Sequence, residues 1–387
     1  MTQSGKKRFS VALLIETSNA YARGLLDGVV AWQREHELWS IYLPEQERGA
    51  APPSWLRSWK GDGVIARIEN DAIAKSVRRL RIPVVDVSAA RMVTGIPWVE
   101  TDDHAIARLA VDHLFERGFR NIAFCGEAPF NWSVWREEHV CALAQQAGVS
   151  CSIYRSRSRY EPQYSWNSEK RRLHGWLRRL PKPVGVVACY DIKGQQILDA
   201  CRELEIAVPE QIAVIGVDND TALCELCTPS LTSIAPDTRR TGYVAAGMLD
   251  RLMHGENVTG SATRICPLGV HERRSTDTVA VDDPDVREAL QFIRQNATTD
   301  INVSDVVRQV GVSRRVLESR FRRIVGHTPH REIERVRIRR IRQLLVETTL
   351  SIESIAARTG YSCPDYLHVA FKRVTGQTLG EFRAHHS

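Results

Sequence analysis

No hydrophobic stretch of about 18 residues occurs in this chain, so nothing in it reads as a membrane-spanning helix. The patterns G-x-S-x-G, G-x-x-x-x-G-K-S/T, H-E-x-x-H and G-x-G-x-x-G are also missing. With them go the hydrolase elbow, the phosphate loop, the zinc-protease helix and the dinucleotide fingerprint. No catalytic residue, cofactor or metal site is expected, and the protein does not read as an enzyme. The 9 cysteines, an odd number without a framework, fit reduced thiols. Cys224-x-x-Cys227 stands alone, with no second pair at metal-ligand spacing. The amino terminus passes directly into a strand-like run with no uninterrupted signal-peptide core, so a cytoplasmic protein is expected.

What is present is a duplication. Val303, Val306, Val310, Gly311 and Ser313 match Ile352, Ile355, Thr359, Gly360 and Ser362 at an offset of 49. Downstream, Phe321-Arg322-Arg323 and Gly326 match Phe371-Lys372-Arg373 and Gly376 at an offset of 50. Each copy reads as a helix, a turn whose glycine supplies positive φ, and a second helix capped by the serine. A helix-turn-helix needs a second helix with one stripe packed inward and the other face fitted to the DNA major groove. In the first copy Val316, Leu317, Phe321 and Ile324 are expected inward, with Arg314, Arg315, Glu318, Ser319, Arg322 and Arg323 outward. In the second, Tyr366, Leu367, Ala370, Phe371 and Val374 are expected inward, with Asp365, His368, Val369, Lys372 and Arg373 outward. An arginine-laden helix over 332–346 sets the spacing of the two.

Charge points the same way. Residues 285–387 hold 18 Lys and Arg against 11 Asp and Glu, a net of +7 that equals the net charge of the whole chain. The first 284 residues are therefore neutral overall. Basic charge gathered in one small region is the footprint of phosphate contact.

The segment 285–387 resembles the AraC/XylS-type DNA-binding domain, most specifically in Ser351-Ile-Glu-Ser-Ile-Ala-Ala-Arg-Thr-Gly-Tyr-Ser362 and Phe371-Lys-Arg-Val-Thr-Gly376. The resemblance implies two helix-turn-helix units reading neighbouring major grooves. It selects Arg315, Glu318 and Ser319, with Asp365, His368 and Val369, as base-facing. Pro364 shapes the start of its helix instead.

Upstream, short apolar runs at 9–15, 63–68, 83–87, 121–125, 184–189 and 212–217 alternate with amphipathic stretches at 21–34, 71–80, 103–117, 132–147, 167–180 and 192–204. Such alternation predicts an α/β architecture of parallel sheets with helices on both faces, in two lobes. Ligands of such folds bind beyond the carboxyl ends of the strands. Polar residues gather there: Asn19, Tyr21, Asp102, Asp103, Arg136, Asp191, Asp218 and Asn219. Carboxylates accept from vicinal hydroxyls, arginine donates to ring oxygens, and Tyr21, Trp132 or Trp135 can stack on a sugar face. Structural roles are open beside these: Asp102 or Asp103 as a helix cap, Arg136 paired with Glu137 or Glu138, Asp191 and Asp218 in turns. The run Arg155-Ser-Arg157-Ser-Arg159, with Tyr160 and Glu161, reads as a solvated loop. Arg171, Arg172, Arg178 and Arg179 flank Leu173, Trp176 and Leu177 as the polar face of a packed helix.

Residues 9–275 resemble the sugar-sensing core of LacI/GalR-type repressors, itself similar to periplasmic sugar receptors. The matching stretches are Asp112-His113-Leu-Phe-Glu-Arg-Gly118-Phe-Arg120-Asn-Ile-Ala123, Val208-Pro209-Glu-Gln-Ile-Ala-Val-Ile-Gly-Val-Asp218-Asn and Glu272-Arg-Arg-Ser275. This resemblance selects Asp103, Arg136, Asp191 and Asp218 as sugar contacts. The order of parts resembles the xylose operon activators of the XylR type, as do Ser18-Asn-Ala-Tyr21-Ala-Arg23, Thr101-Asp-Asp103, Trp135-Arg136-Glu and Gly216-Val-Asp-Asn219. It implies a sensor at 1–275 with a periplasmic-binding-protein-like fold, a linker at 276–284 and an all-α domain at 285–387 with two helix-turn-helix units. The implied function is a sequence-specific transcription regulator of sugar catabolism, an activator with xylose as first choice of effector. Its expected partners are double-stranded operator DNA, a small sugar, a second copy in a homodimer and RNA polymerase. Another pentose or hexose, a sugar-processing enzyme and a protein-binding basic tail remain as alternatives.

Overall fold

The computed structural model describes residues 8–386 apart from 37, 89, 129, 158–163, 259–261, 279, 280, 282, 349 and 362. Its strands in chain order are β1 Ser10–Leu14, β2 Ser40–Tyr42, β3 Gly63–Ala66, β4 Val84–Asp86, β5 Trp98–Thr101, β6 Ile122–Glu127, β7 Cys151–Ser156, β8 Val184–Ala188, β9 Ile212–Val217, β10 Thr232–Ala235, β11 Ala262–Ile265 and β12 Gly269–His271. They form two sheets, ordered β11-β5-β4-β3-β1-β2 and β12-β10-β9-β8-β6-β7. All neighbours are parallel except β10 and β12. The chain divides into two units, Met1–Thr278 and Val279–Ser387, and both sheets belong to the first.

Strand β1 shows why its sequence is apolar throughout. Val11 and Leu13 pack into one core with Leu25, Val29 and Val85, whereas Ala12 and Leu14 pack into another with Leu56, Val64 and Ile73. Side chains alternate across a strand, so a strand covered on both faces needs apolar residues at every position. The second lobe has a comparable core of Cys125, Leu177, Val186, Ile197 and Val214. There Leu173, Trp176 and Leu177 form the buried stripe of the helix Trp166–Arg179.

Three passages of the chain join the lobes. After β5 the helix Asp103–Glu116 packs against the second sheet. After β10 the helix Thr238–Met253 returns to lie on the helix Ala20–Glu35, and β11 then leads to β12. The two helices touch backbone to backbone: a Cβ on Gly28 would fall 2.1 Å from the Arg239 carbonyl oxygen, and one on Gly242 2.0 Å from that of Leu25.

One expectation changes here. The stretch from Cys151 is not a loop up to Ser156 but the edge strand β7, where Arg155 pairs with Glu137 at 2.5 Å. Polar alternation on an edge strand imitates a solvated loop. Arg159, Tyr160 and Glu161 lie outside the described residues. Among the described residues no helix is long and apolar enough to cross a membrane.

The second unit is helical: Pro284–Asn296, Val303–Val310, Arg314–Val325, Pro329–Glu347, Ile352–Ala357, Pro364–Thr375 and Leu379–His386. The long helix Pro329–Glu347 joins two small cores. Ile333 packs with Val306, Leu317 and Phe321, while Ile338, Ile341 and Leu345 pack with Ile355, Leu367 and Phe371. Both turns carry their glycine where the sequence reads it, and the first also its serine cap. Gly311 and Gly360 have φ of +75° and +72°, and Ser313 caps its helix by accepting from the Val316 N–H. Ser362 lies outside the described residues, and Cys363 holds the N-cap of the second reading helix without a side-chain cap bond.

The inward stripes are narrower than expected. Leu317 and Phe321, and Leu367, Ala370 and Phe371, are buried, and Ile324 is half-buried. Val316, Tyr366 and Val374 are instead exposed, at 38%, 68% and 46%. Each reading helix leans on a short partner, so a residue about 100° off the seam finds no neighbour.

Candidate ligand cleft and nucleic-acid interface

Parallel strands deliver the residues after them to one edge of a sheet, and the two edges face each other across the cleft of the first unit. Its walls are Tyr21, Arg48, Arg67, Val87, Glu100, Thr101, Asp103, Trp132, Arg136, Tyr190 and Asp218. The free space left between them is about 20 Å³, room for a water and not for a sugar. Three arginine side chains help to fill it.

Each arginine is held by carboxylates or rings. Arg136 Nε donates to Asp103 Oδ1 at 2.7 Å and its Nη1 to the Cys189 carbonyl oxygen at 2.6 Å. Arg67 donates to Glu16, and through Nη2 to Glu69 Oε1 at 2.6 Å. The Arg48 guanidinium, from the first lobe, lies 5.3 Å from the Trp132 ring centroid and 4.7 Å from that of Tyr190, both on the second. A buried charge is tolerable only when paired in this way.

The carboxyl groups feel the same competition. Burial pushes Asp218 up to about 6, although Arg136, Arg48 and Arg67 all pull it down. Asp103 is also raised by burial in spite of Arg136. Burial acts on Glu16 too, but Arg67 and Arg48 together outweigh it and hold that carboxyl below its ordinary value.

Of the sugar contacts expected from sequence, Tyr21, Asp103, Arg136 and Asp218 share this cleft. Asp102 takes the capping role, accepting from the Ala105 N–H at 3.0 Å, which leaves Asp103 to Arg136. Arg136 is buried and pairs with neither Glu137 nor Glu138 on a surface. Asn19 caps the helix Ala20–Glu35 and donates to Glu16 at 2.9 Å, placing it behind the wall. Asp191 also sits behind: its carboxylate accepts from Ser233 Oγ at 2.5 Å and from the Asp220 N–H at 2.8 Å. It therefore holds the turn that presents Asp218. That turn is strained, with φ of +111° at Asp218 and +48° at Asn219. Asn219 Oδ1 is buried with no hydrogen-bond partner among the described residues.

Sequence reading missed Arg48, Arg67, Glu16 and Tyr190. Arg67 and Glu16 directly follow β3 and the run of β1, so a charged residue at the carboxyl end of an apolar run was the available signal. Arg48 comes from irregular chain and offered none.

In the second unit, Arg314, Arg315, Ser319, Arg322 and Arg323 are exposed and Glu318 is half-exposed. Arg314, Arg315, Glu318, Ser319 and Arg322 line one open recess. Arg314 pairs with Glu318 at 2.9 Å, one turn along the helix. Asp365, His368, Val369 and Lys372 are exposed on the corresponding face of the second reading helix. Arg373 is tied to Glu334 of the long helix.

A two-lobed parallel-sheet sensor, carried on one chain with a pair of helix-turn-helix units, defines a ligand-responsive transcription regulator. Residues 10–104 match the XylR N-terminal domain family, 111–276 the periplasmic binding protein-like domain and 306–385 a helix-turn-helix domain. The xylose operon regulatory protein of Escherichia coli strain K12 is 33% identical over 385 residues, spanning 97% of both chains. That of Haemophilus influenzae is 30% identical over 383 residues, spanning 97% of this chain and 98% of its own. The solved structure of the xylose-binding transcription activator XylR superimposes with a TM-score of 0.84 at 32% identity, over 99% of each chain. The chain belongs to the family of xylose operon regulatory proteins, and it is a DNA-binding regulator and not an enzyme.

Proposed function

We propose that this protein is a xylose-responsive activator of transcription, acting in the cytoplasm as a homodimer on operator DNA and in contact with RNA polymerase. The observation that carries the sugar reading is the buried pair of Arg136 and Asp103 lining a cleft walled by Tyr21, Trp132 and Tyr190. A guanidinium and carboxylates supply directed donors and acceptors to vicinal hydroxyls, and the rings accept a C–H face. The unpartnered Asn219 Oδ1 offers a further acceptor beside Asp218. We assign direct contact to Tyr21, Asp103, Arg136, Asp218 and Asn219, and a supporting role to Asn19 and Asp191.

Entry of a sugar requires Arg48 or Arg67 to give way, because the present free space does not hold one. Sugar binding then changes which arrangement of the lobes is favoured. A ligand shifts such an equilibrium only through different affinity for its two states. In a dimer that change repositions two DNA-reading units on their half-sites. Arg314, Arg315, Glu318, Ser319, Arg322 and Arg323 form the first reader, and Asp365, His368, Val369 and Lys372 the second.

Calorimetric titration with D-xylose beside a panel of pentoses and hexoses tests the sugar. Operator affinity and transcription in vitro with and without D-xylose test the coupling. Equal heats from every sugar, or output indifferent to D-xylose, would overturn the reading.

A further inference from the structure

The two reading helices differ most at the centre of their outward faces. In Arg314–Val325 the residues opposite the buried Leu317 and Phe321 are Arg315, Ser319 and Arg322. In Pro364–Thr375 the residues opposite Leu367 and Phe371 are Asp365, Val369 and Lys372, spaced at i, i+4 and i+7 on one stripe. Val369 is 65% exposed, and Tyr366 on its flank is 68% exposed. Val316 and Val374 are also exposed, at 38% and 46%, but neither stands at the centre of an outward face, as Val369 does.

An apolar side chain at the middle of a helix that faces a polyanion has no use against phosphate. In the major groove one base edge is apolar, the C5-methyl of thymine. Charge favours duplex DNA as the occupant over a protein surface, since 285–387 carries the chain's entire net charge of +7 and Lys372 lies one turn from Val369.

We propose that the second reading helix recognises thymine, with the Val369 side chain packed against a C5-methyl and Tyr366 closing its flank. Asp365, an acceptor where the first helix has the donor Arg315, disfavours guanine at the neighbouring position and suits the exocyclic amine of cytosine. The two half-sites of one chain then differ in chemistry: the first presents guanine to Arg315, and the second presents a thymine methyl to Val369 and a cytosine amine to Asp365. Thymine reading rests on this unit being a sequence-specific DNA reader.

The experiment uses the full chain with D-xylose present, at one fixed salt concentration. A preferred duplex is selected from random DNA, and each of its thymines is replaced in turn by deoxyuridine, which removes only the methyl. At one thymine the replacement should lower affinity about fourfold, the worth of one buried methyl. In Val369→Ala the same replacement should cost clearly less. Val369 is exposed, so the variant keeps its fold, and an unchanged urea unfolding midpoint checks this. A scan in which no thymine responds, or in which the response persists undiminished in Val369→Ala, overturns thymine reading while leaving the regulator intact. Failure to select any sequence overturns the DNA-reader reading itself.

Discussion

The guanidinium of Arg48 stands 4.7 Å from the ring centroid of Tyr190, so a cation from the first lobe is seated on an aromatic wall of the second. Phe130 and Trp132 complete that wall at 5.7 and 5.3 Å. Contacts of this kind contribute about 0.5–2 kcal/mol, enough to bias the lobes without locking them. Arg48→Ala should loosen the sugar-free arrangement and change D-xylose affinity while leaving sugar selectivity in place. Small-angle scattering of the sugar-free protein, with calorimetry, reads both; unchanged scattering and affinity would remove Arg48 from the mechanism.

Arg136→Ala leaves Asp103 buried without its partner, which should cost about 3–5 kcal/mol of stability. D-xylose binding should disappear. The double change Arg136→Met with Asp103→Asn should recover much of the stability and none of the binding. Urea unfolding and calorimetry on the same samples separate the two effects.

Asp218 takes up a proton near pH 6, because burial raises it. A protonated carboxyl is the weaker acceptor, so D-xylose affinity should fall as pH drops through about 6, by up to tenfold per unit below it. The stability term has the opposite sign. The folded state holds this proton more tightly than the unfolded chain, whose carboxyl sits at 3.8. The ionised group therefore costs stability at pH 7, and that cost is relieved as pH falls through 6 toward 4. Asp218→Asn should flatten the affinity profile in titrations from pH 5 to 8.

In the DNA-reading unit, Arg315→Ala should cost about 1–3 kcal/mol on the preferred operator and relax discrimination at one base pair, whereas Lys372→Ala should weaken all sequences alike and lower the salt slope by about one. Quantitative binding to operator and scrambled duplexes over a range of salt separates base reading from phosphate contact.

The two turn glycines should respond differently. Both have positive φ, but a Cβ on Gly311 meets nothing within 4 Å, while one on Gly360 would lie 2.4 Å from the Thr299 carbonyl oxygen. Gly311→Ala should cost about 1 kcal/mol of backbone strain. Gly360→Ala adds a backbone collision and should cost about 2–4 kcal/mol. Equal losses on urea unfolding would argue against the close approach.

Much of this was legible in the chain because the signals were local. Apolar run and amphipathic stretch gave β9 to the residue and the other stretches read from them within two or three, but left out β2, β5, β10, β11, β12 and the helix Thr238–Met253. Glycine marked both helix-turn-helix turns and serine the first, and the basic charge of 285–387 marked the polymer it meets. The errors were local too: alternating polar residues hid the edge strand β7, and periodicity alone made the inward stripes too wide, misplacing Val316, Tyr366 and Val374.

The cleft is where local reading ran out. The sequence by itself determined two parallel-sheet lobes, two DNA readers and which polar residues end the strands, since each follows from periodicity, turn chemistry or charge over a few neighbouring residues. Only the tertiary structure decided that Asp102 caps a helix and Asp103 meets Arg136, that Asp191 supports a turn while Asp218 faces the cleft, and that Arg48 and Arg67 line it. Most of those assignments depend on which side chains share a buried space: Asp103 and Arg136 are 33 residues apart in the chain and Glu16 and Arg67 are 51 apart, brought together by packing that no short window contains.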